Sequence, residues 1–442
     1  MEILKFETNK KRNLFFSKSN ISPKKKDKNI EYKVINVYPE IKYQTILGFG
    51  GAFTEASNLN YLNLSTDTKQ SFIKDYFTED GISYSICRVP IGSTDFSEKS
   101  YSYAKKKDLS DFSIDEDKHT LLPLIKDALL KNPNIALLAS PWSPPKFMKT
   151  NKMLSLGGRL LPKYYDLYAE YLLKYILAYK QEGINIDYIT VQNEPNATQI
   201  WESCLFTEKE ESLFIKEHLF PIFKKNDIKT KILFYDHNKD YLYNRAKKEL
   251  IEENLSGYVD GIAYHYYTGD HFENLELFNK AFSDKLLIHT EGCTGYSSFK
   301  EQDDLNNAEI YAHDIMGDLN HFSNGYIDWN LMLDKKGGPN HVKNYCDSPI
   351  MRKDDDKSYV KKLAYYYIGH FSKFIKPNAK RIANSRYNAN IEVGSFENPD
   401  GSIIIVLFNR SGNQYQYNIL MDDMYIHDNL DSHAIVTYII RK

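Results

Sequence analysis

Eight short apolar runs, separated by segments with helical periodicity, restrict the fold of this 442-residue chain more than any other feature. Strands that alternate with helices build a parallel sheet, and eight such units close into a (β/α)8 barrel. One intervening segment, residues 162–180, repeats Tyr, Leu and Ile at the three- and four-residue spacing of a helix. The predicted fold class is therefore α/β with a (β/α)8 TIM barrel, whose strands are residues 45–50, 83–90, 135–140, 188–192, 231–235, 261–265, 286–290 and 326–331.

The pattern changes near residue 375, after which short runs alternate apolar and polar residues as antiparallel strands do. These runs, residues 391–396, 402–409 and 434–441, are too short to form a stable sandwich unaided. A strand-like run ahead of the barrel, residues 31–37, can supply a partner from the other end of the chain. We therefore predict an appended antiparallel β-sandwich domain and three segments: 1–45 as N-terminal strands that join the sandwich, 46–375 as the catalytic barrel, and 376–442 as the C-terminal part of the sandwich.

The charges of the chain are balanced, with 57 Lys and Arg against 59 Asp and Glu. No net field attracts nucleic acid or an anionic membrane, so we expect a neutral substrate and no nucleic-acid partner. No run approaches the roughly 20 apolar residues that span a bilayer, so no integral membrane segment is predicted. The first residues, MEILKFETNKKRN, lack the apolar core of a signal peptide, which predicts a cytoplasmic location. No sequence pattern specifies the oligomeric state.

Neither a cofactor nor a metal ion is predicted. The sequence contains no Gly-rich phosphate loop of either common type. Three histidines near strand ends, His237, His265 and His289, lack the i, i+4 spacing of a zinc-binding helix and have no cysteine cluster beside them. The four cysteines, at positions 87, 204, 293 and 346, lie far apart and include no Cys-x-x-Cys pair. We expect them to be reduced.

Two glutamates, Glu194 and Glu291, each stand at the end of an apolar run, in VQNEP and IHTEG. Barrel enzymes keep their catalytic groups at the carboxyl ends of the strands, and glycosidic bond cleavage uses two facing carboxylates. Taken alone, Glu194 also fits a surface loop glutamate, and Glu291 also fits a buried glutamate in a salt bridge. The pair nevertheless predicts a glycoside hydrolase.

Six motifs carry a wider resemblance: GFGGAFTE, SPWSPP, NEP, HYY, TEGC and DWNL, which begin at residues 48, 140, 193, 265, 290 and 328. Three further segments, near residues 337, 344 and 369, extend it. In this order they are similar to the glucosylceramidase family of retaining β-glycosidases, glycoside hydrolase family 30. The resemblance covers roughly residue 47 to the C-terminus.

This resemblance implies a retaining β-glycosidase that cleaves terminal β-glucosidic bonds through a covalent glycosyl-enzyme. It makes Glu194 the acid/base and Glu291 the nucleophile, which agrees with their positions after the fourth and seventh predicted strands. The expected substrate is a β-glucoside or another small glycoside. A family relative with another glycone or linkage, such as a β-1,6-glucanase or β-xylosidase, is an alternative. A non-catalytic carbohydrate-binding barrel is another, because fold does not fix function.

The same resemblance implies a set of substrate-binding residues. Two tryptophans at strand ends suit the apolar face of a sugar, although a lone tryptophan is more often a core residue. A histidine and a tyrosine after the sixth strand would orient the site and hydrogen-bond the nucleophile, and the histidine alone also fits a core position. Position 55 is aspartate in the best-known animal members of the family. The implied residues are Glu55, Trp142, Asn193, His265, Tyr267, Trp329 and Asn344.

Overall fold

The computed structural model of the chain describes residues 2–22, 24–25, 31–295, 304–353, 355 and 357–441. Eight parallel strands close into a barrel in chain order, with β8 paired to β1. This arrangement confirms the predicted fold class. The strands are β1 (Gly48–Ala52), β2 (Ile86–Ile91), β3 (Ala136–Pro141), β4 (Tyr188–Thr190), β5 (Lys231–Asn238), β6 (Gly261–His265), β7 (Leu286–Glu291) and β8 (Gly325–Asn330).

Helices surround the barrel, and local sequence sets several of their boundaries. The Thr207 hydroxyl accepts the backbone N–H of Glu210, and the Glu210 carboxylate accepts the backbone N–H of Thr207. This pair of bonds is a capping box, and it starts one helix. That helix widens into a π-turn where Pro221 removes a backbone donor. The α-helices are Glu55–Leu62, Thr66–Phe77, Asp117–Thr120, Leu122–Lys131, Tyr165–Gln181, Glu208–Phe214, Phe220–Lys225, Leu242–Ala246, Phe272–Ala281, Asp304–Asn320 and Leu363–Ser372. Shorter π and 3-10 turns are Ile215–Leu219, Lys247–Glu252, Lys10–Arg12, Lys146–Met148, Pro162–Tyr164 and Ser256–Tyr258.

Strands from both ends of the chain form a second, ten-stranded sheet. All neighbours are antiparallel except Val34–Thr45 and Tyr415–Met421, which are parallel. The sheet folds over, so that the hydroxyls of Tyr417 and Tyr438 lie 2.5 Å apart although their strands are not neighbours. In sheet order the strands are Leu14–Asn20, Glu2–Asn9, Ala434–Arg441, Ile403–Asn409, Glu392–Glu397, Lys380–Asn384, Val34–Thr45, Tyr415–Met421, Met424–Leu430 and Lys24–Lys25. A small third sheet joins Met332–Leu333, Ile350–Arg352 and Tyr359–Lys361.

Apolar side chains fill the lower interior of the barrel and leave a pocket at the carboxyl ends of its strands. One buried cluster contains inward-pointing residues of the strands, among them Ile86, Leu138, Leu233, Ile288 and Ile327. Side chains alternate along a strand, so the residue two positions after Ile86 also points inward, nearer the carboxyl end. The barrel is therefore a packed core with a pocket at one end.

Helix Leu363–Ser372 joins the barrel to the folded sheet. Its His370 contacts Thr437 through Nδ1 at 2.8 Å and Thr8 through Nε2 at 2.9 Å. Phe374, just beyond the helix, packs against Phe6 with ring centroids 4.6 Å apart. This interface is apolar and hydroxyl-rich, and strands from both chain ends contribute to it.

Candidate active site

A cavity of about 530 Å³ opens at the carboxyl ends of the barrel strands. Its size lies within the usual range of small-ligand sites. Both glutamates singled out from the sequence face it. It is lined by Asp95, Trp142, Glu194, Ala197, Gln199, Trp201, His237, Asn238, Tyr266, Tyr267, Glu291, Cys293, Thr294, Gly295, Ile310, Trp329 and Asn344.

A bulge in β7 directs Glu291 toward this cavity. Tyr264 pairs with His289 and His265 pairs with Glu291, which leaves Thr290 as an extra residue on the seventh strand. An extra residue changes the direction of the side chains that follow it. Before the bulge, the inward side chains of β7 fill the barrel core; after it, the last side chain, Glu291, faces the cavity.

A similar irregularity occurs in β5. Ala263 pairs with Tyr235 and Tyr264 pairs with His237, so that Asp236 is the extra residue. Tyr235 and Asp236 have φ values of 76° and 53°, in the left-handed region. Such conformations are costly for these residue types and are concentrated at functional sites. The strained segment brings the Asp236 carboxylate to the barrel axis.

Glu194 follows β4 in another strained turn. Its φ is 49°. The preceding Asn193 donates its backbone N–H to Pro141 at 2.8 Å, and Glu194 donates its own to Asp236 at 2.9 Å. Pro195 has no N–H and prevents the strand from continuing. Hydrogen bonds to β3 and β5 thus hold the turn that presents the Glu194 carboxyl.

Arg88 of β2 connects the carboxylates at the barrel axis. Its side chain is fully buried. Nη1 donates to Glu291 Oε2 at 2.5 Å, and Nη2 donates to Asp236 Oδ2 at 2.7 Å and to Asn193 Oδ1 at 2.9 Å. Nε donates to Ser140 Oγ at 3.1 Å. The rigid guanidinium fork therefore fixes the relative positions of groups from three strands and from the turn after β4.

His265 lies between two of the carboxylates. Its Nδ1 is 3.4 Å from Glu194 Oε1 and its Nε2 is 3.1 Å from Asp236 Oδ1. Burial alone would lower the pKa of His265, but the charge of Glu291 and the hydrogen bonds to Asp236 and Glu194 raise this pKa to about 9. His265 is therefore a cation at neutral pH.

The pKa values of the two glutamates shift in opposite directions. Burial raises the pKa of Glu194, but the hydrogen bond and charge of His265 outweigh burial and leave this pKa below its ordinary value. Burial raises the pKa of Glu291, and the charge of Glu194 adds to this effect, while His265 and Arg88 oppose it. These directions are the reverse of those expected for an acid/base and an ionised nucleophile.

The hydrogen bonds to the same two carboxyls favour a negative charge on Glu291 rather than on Glu194. Glu291 accepts from Arg88 at 2.5 Å and from the Tyr267 hydroxyl at 2.9 Å. Glu194 has longer contacts, 3.4 Å to His265, 3.4 Å to Gln199 Nε2 and 4.0 Å to His237 Nδ1. Short bonds from charged donors are the stronger ones. Because the two carboxyls titrate as a pair, we place the negative charge on Glu291 by these contacts.

One wall of the cavity is formed by two tryptophans. Trp142 follows β3, and Trp329 lies in β8. Their rings are stacked at 5.2 Å with 21° between their planes. The Arg88 guanidinium lies 4.7 Å from the Trp142 ring on the side of the barrel. Trp201 also lines the cavity. The cavity thus contains the aromatic surface expected of a sugar site.

Asp95 is a cavity residue that sequence reasoning missed. Its Oδ2 accepts from Asn344 Nδ2 at 2.9 Å and from Asn340 Nδ2 at 3.3 Å. Burial raises the pKa of Asp95 to about 8. It follows β2 by four residues, so attention to polar residues just after each strand would have found it. Asn344, which was predicted, lines the cavity beside it.

Three predicted substrate-binding residues are not among the residues that line the cavity. Asn193 and His265 lie behind the wall and contact Arg88 and Glu194 respectively. Glu55 is buried in the first turn of its helix, where Oε1 accepts the backbone N–H of Glu98 at 3.2 Å. Burial raises the pKa of Glu55 to about 7. Direct contact of these three with substrate stays a prediction.

Among the described residues, one group combines the side-chain types that hold metal ions: His289, Asp314 and Asp318. The Lys239 ammonium already lies 2.6 Å from Asp314 and 2.9 Å from Asp318. A metal ion would have to displace this internal cation, so the group fits an ion-pair cluster better than a metal site.

No helix in the described part of the chain is long and apolar enough to cross a membrane. The cytoplasmic location stays a prediction.

The chain resembles several characterised proteins over most of its length. It is 34% identical over 431 residues to the lysosomal acid glucosylceramidase of Mus musculus, which covers 92% of this chain and 84% of that protein. The structure of SrfJ from Salmonella typhimurium superposes with a TM-score of 0.97 at 33% identity, covering 100% of both chains. The endo-β1,6-glucanase BT3312 superposes with a TM-score of 0.91 at 30% identity, covering 100% of this chain and 99% of that one.

Two family models divide the chain between them. Residues 46–375 match the glycosyl hydrolase family 30 TIM-barrel domain, and residues 378–438 match the glycosyl hydrolase family 30 beta sandwich domain. The first match alone covers more than half of the chain. With these matches and the two carboxyls facing one cavity, the chain belongs to glycosyl hydrolase family 30, a family of glycoside hydrolases.

Proposed function

We propose that this protein is a retaining β-glycosidase that cleaves a terminal β-glucosidic bond through a covalent glycosyl-enzyme. The observation that carries the proposal is the placement of Glu194 and Glu291 in one cavity beside Arg88 and His265. Two carboxyls that face one sugar are sufficient for double displacement. The likeness to a glucosylceramidase supports glucose as the glycone.

In the first step Glu291 attacks the anomeric carbon while Glu194 protonates the leaving oxygen. Arg88 and Tyr267 hold the two oxygens of Glu291, so the carboxylate needs no reorganisation to attack. In the second step Glu194 removes a proton from water, which attacks the anomeric carbon and releases Glu291. The reaction is hydrolysis without oxidation or reduction.

The charges around the site support a single proton on Glu194. Three carboxyls, Glu194, Asp236 and Glu291, face two cations, Arg88 and His265. Burial favours a neutral cluster, and one proton on the carboxyls makes the total charge zero. Asp236 is held ionised because Arg88, His265 and Thr290 outweigh burial and lower its pKa strongly. Glu291 has the shorter bonds to cationic and hydroxyl donors, which leaves Glu194 to carry the proton.

Sugar binding in this proposal uses the wall formed by Trp142 and Trp329 together with the Asp95 and Asn344 pair. Indole faces cover the C–H faces of a pyranose, and the polar pair binds hydroxyl groups. Among the described residues the cavity is lined by few other charged groups, so the charge of the substrate is expected to be neutral.

A β-1,6-glucanase is the second candidate, because BT3312 covers the whole chain at 30% identity. Fold and catalytic pair would be the same in both cases. Initial rates on aryl β-glucoside, β-xyloside, β-galactoside and β-fucoside, with a β-1,6-glucan beside them, separate the two. Preference for the polymer over the aryl glucoside would replace the first candidate by the second.

The roles of the glutamates are tested by Glu291→Gly and Glu194→Ala with added azide. Glu291→Gly should lose hydrolysis, and azide should occupy the vacated space and give a glycosyl azide of inverted configuration. Glu194→Ala should still react with dinitrophenyl glycosides, whose leaving group needs no proton, and should give an azide product of retained configuration. Product stereochemistry is read by NMR. The opposite pattern would exchange the two roles, and full activity in both variants would remove the proposal.

A further inference from the structure

A ring of four buried charged groups lies behind the strand that carries Glu291. Lys239 donates to Asp314 Oδ1 at 2.6 Å and to Asp318 Oδ1 at 2.9 Å. The other oxygen of each carboxylate faces His289 Nδ1, at 3.3 Å for Asp314 and 2.6 Å for Asp318. Each aspartate therefore lies between Lys239 and His289. The side chains of all four are almost completely buried.

The geometry of His289 requires a proton on both ring nitrogens. Nδ1 faces the two carboxylates, and Nε2 lies 2.7 Å from the backbone carbonyl oxygen of Glu291. Ionised carboxylates and carbonyls only accept, so each nitrogen must donate. His289 therefore donates from Nδ1 to Asp318 and from Nε2 to the Glu291 carbonyl.

The hydrogen bond from His289 Nε2 reaches the backbone carbonyl of Glu291, the residue that follows the bulge in β7. The extra residue, Thr290, donates its hydroxyl to Asp236 Oδ1 at 2.6 Å. His289 and Thr290 thus hold the bulge from opposite sides, one through the Glu291 carbonyl and the other through the Asp236 carboxylate. Arg88 and Tyr267 hold only the far end of the Glu291 side chain.

We propose that His289 and Thr290 are positioning residues that fix the backbone of Glu291, and that Lys239, Asp314 and Asp318 hold His289 in the orientation that this bond needs. The proposal rests on the role of Glu291 as nucleophile. A nucleophile held at both ends attacks from one position, and a displacement of about 1 Å can cost roughly 100-fold in rate. Neither His289 nor Thr290 lines the cavity, so both act through Glu291.

Two amide variants separate the bond to Glu291 from the ion pair. In His289→Gln the amide nitrogen reaches approximately the place of Nε2 and can still donate to the Glu291 carbonyl. In His289→Asn the shorter amide reaches approximately the place of Nδ1 and retains only the contact with Asp318. Both variants replace the buried imidazole by a neutral amide, so a general loss of stability affects them alike.

The measurement is the rate at which a 2-deoxy-2-fluoro-β-glucosyl inhibitor labels Glu291, read by mass spectrometry and accompanied by kcat, KM and thermal melts. We expect His289→Asn to be labelled roughly 10- to 100-fold more slowly than the wild type with nearly unchanged KM. His289→Gln should stay within about threefold of the wild type. Equal labelling rates in the two variants would overturn the proposal, because a purely structural ring affects both alike.

A second pair of variants decides the question if His289→Asn does not fold. Thr290→Val removes the hydroxyl that binds Asp236 at nearly constant volume, and Thr290→Ser retains it. Slower labelling in Thr290→Val than in Thr290→Ser supports the proposal, and equal labelling contradicts it. Absence of label on the wild-type Glu291 is a different result, since it contradicts the proposed function itself.

Discussion

Two equally buried histidines, His265 at the catalytic end of the barrel and His370 at the barrel–sandwich interface, have opposite pKa shifts. Carboxylates surround His265 and raise its pKa to about 9, against the effect of burial. His370 contacts the hydroxyls of Thr8 and Thr437, and burial lowers its pKa to about 3. Burial therefore does not decide the charge of a side chain; its partners do.

The regions around the two histidines also differ in charge and packing. The catalytic end holds charged groups in fixed positions, as at Arg88 and Asp236. At the interface, rings such as Phe6 and Phe374 pack together, and the buried His370 contacts hydroxyls rather than carboxylates. We expect substitutions at the catalytic end to change turnover and substitutions at the interface to change stability. Four predictions test this division, in decreasing order of expected effect.

The largest effect is expected from Glu291→Gln. Loss of the nucleophile should lower kcat by roughly 10⁴-fold or more. The melting temperature should change little compared with kcat, because Gln has nearly the same size and its amide oxygen can still accept from Arg88. Glu392→Gln is the matched control, since Glu392 lies at the interface and pairs with His313 at 2.8 Å. The control should retain wild-type kcat; a comparable loss of kcat there would remove the division.

Phe374→Ala should show the reverse pattern. Deleting a buried ring costs about 3–5 kcal/mol of unfolding free energy through lost burial and the remaining cavity. The kcat of the folded fraction should stay at the wild-type value, because Phe374 is not among the residues that line the cavity. Denaturant unfolding and initial rates on the same preparation give both numbers. A fall in kcat that parallels the loss of stability would mean that the sandwich supports the site directly.

Trp142→Ala and Trp329→Ala test whether the stacked wall belongs to the catalytic end or to the core. Both rings are almost fully buried, so some loss of stability is expected. As sugar-binding residues they should lower kcat/KM by roughly 10- to 100-fold. Their melting temperatures should fall less than that of Phe374→Ala. Near-normal activity of the folded fraction with a large fall in melting temperature would assign both rings to the core.

The smallest effect concerns pH. The folded pKa of His370, about 3, lies below its unfolded value of roughly 6.5, so its contribution to stability is present above pH 6.5 and is lost as the pH falls toward 3. The folded pKa of His265, about 9, lies above the unfolded value, so its contribution is present below pH 6.5 and is lost as the pH rises toward 9. The two regions therefore weaken at opposite ends of the pH range.

His370→Gln separates these two effects. It should flatten the acid side of the curve of unfolding free energy against pH by up to about 1.4 kcal/mol per pH unit and leave the alkaline side unchanged. Denaturant unfolding of both proteins between pH 4 and 9 measures the slopes. An unchanged acid slope in the variant would show that other groups control acid unfolding.

The fold class could be predicted because each barrel strand leaves a local signal. The run at 261–265 has the same bounds in the structure, and β8 begins one residue before its run. Strand ends near the site were harder to predict. The fourth run was expected to continue to residue 192, but β4 ends at Thr190, because the turn into Glu194 requires a left-handed backbone at a non-glycine residue.

The placement of Glu194, Glu291, Trp142, Trp329, Tyr267 and Asn344 around one cavity was predicted from the sequence, although their roles are still proposals. Arg88 and Asp236 were missed. Each had a signal: Arg88 is a charge within the apolar run ICRVPI, and Asp236 directly follows a predicted strand. The ring around His289 had no such signal in the sequence, because its members come from three distant segments that only the closed barrel brings together.

The pairing of Glu2–Asn9 with Ala434–Arg441 has a consequence for synthesis on the ribosome. Ile3 pairs with Ile440, and at about 5–20 residues per second the ribosome needs roughly 20–90 s to make the second after the first. During this interval the first strand has an unpaired edge, which is a site for aggregation. A chain that stalls soon after residue 375 contains both glutamates of the site but lacks the partner of its own first strand. Chaperone demand should therefore be greatest late in translation.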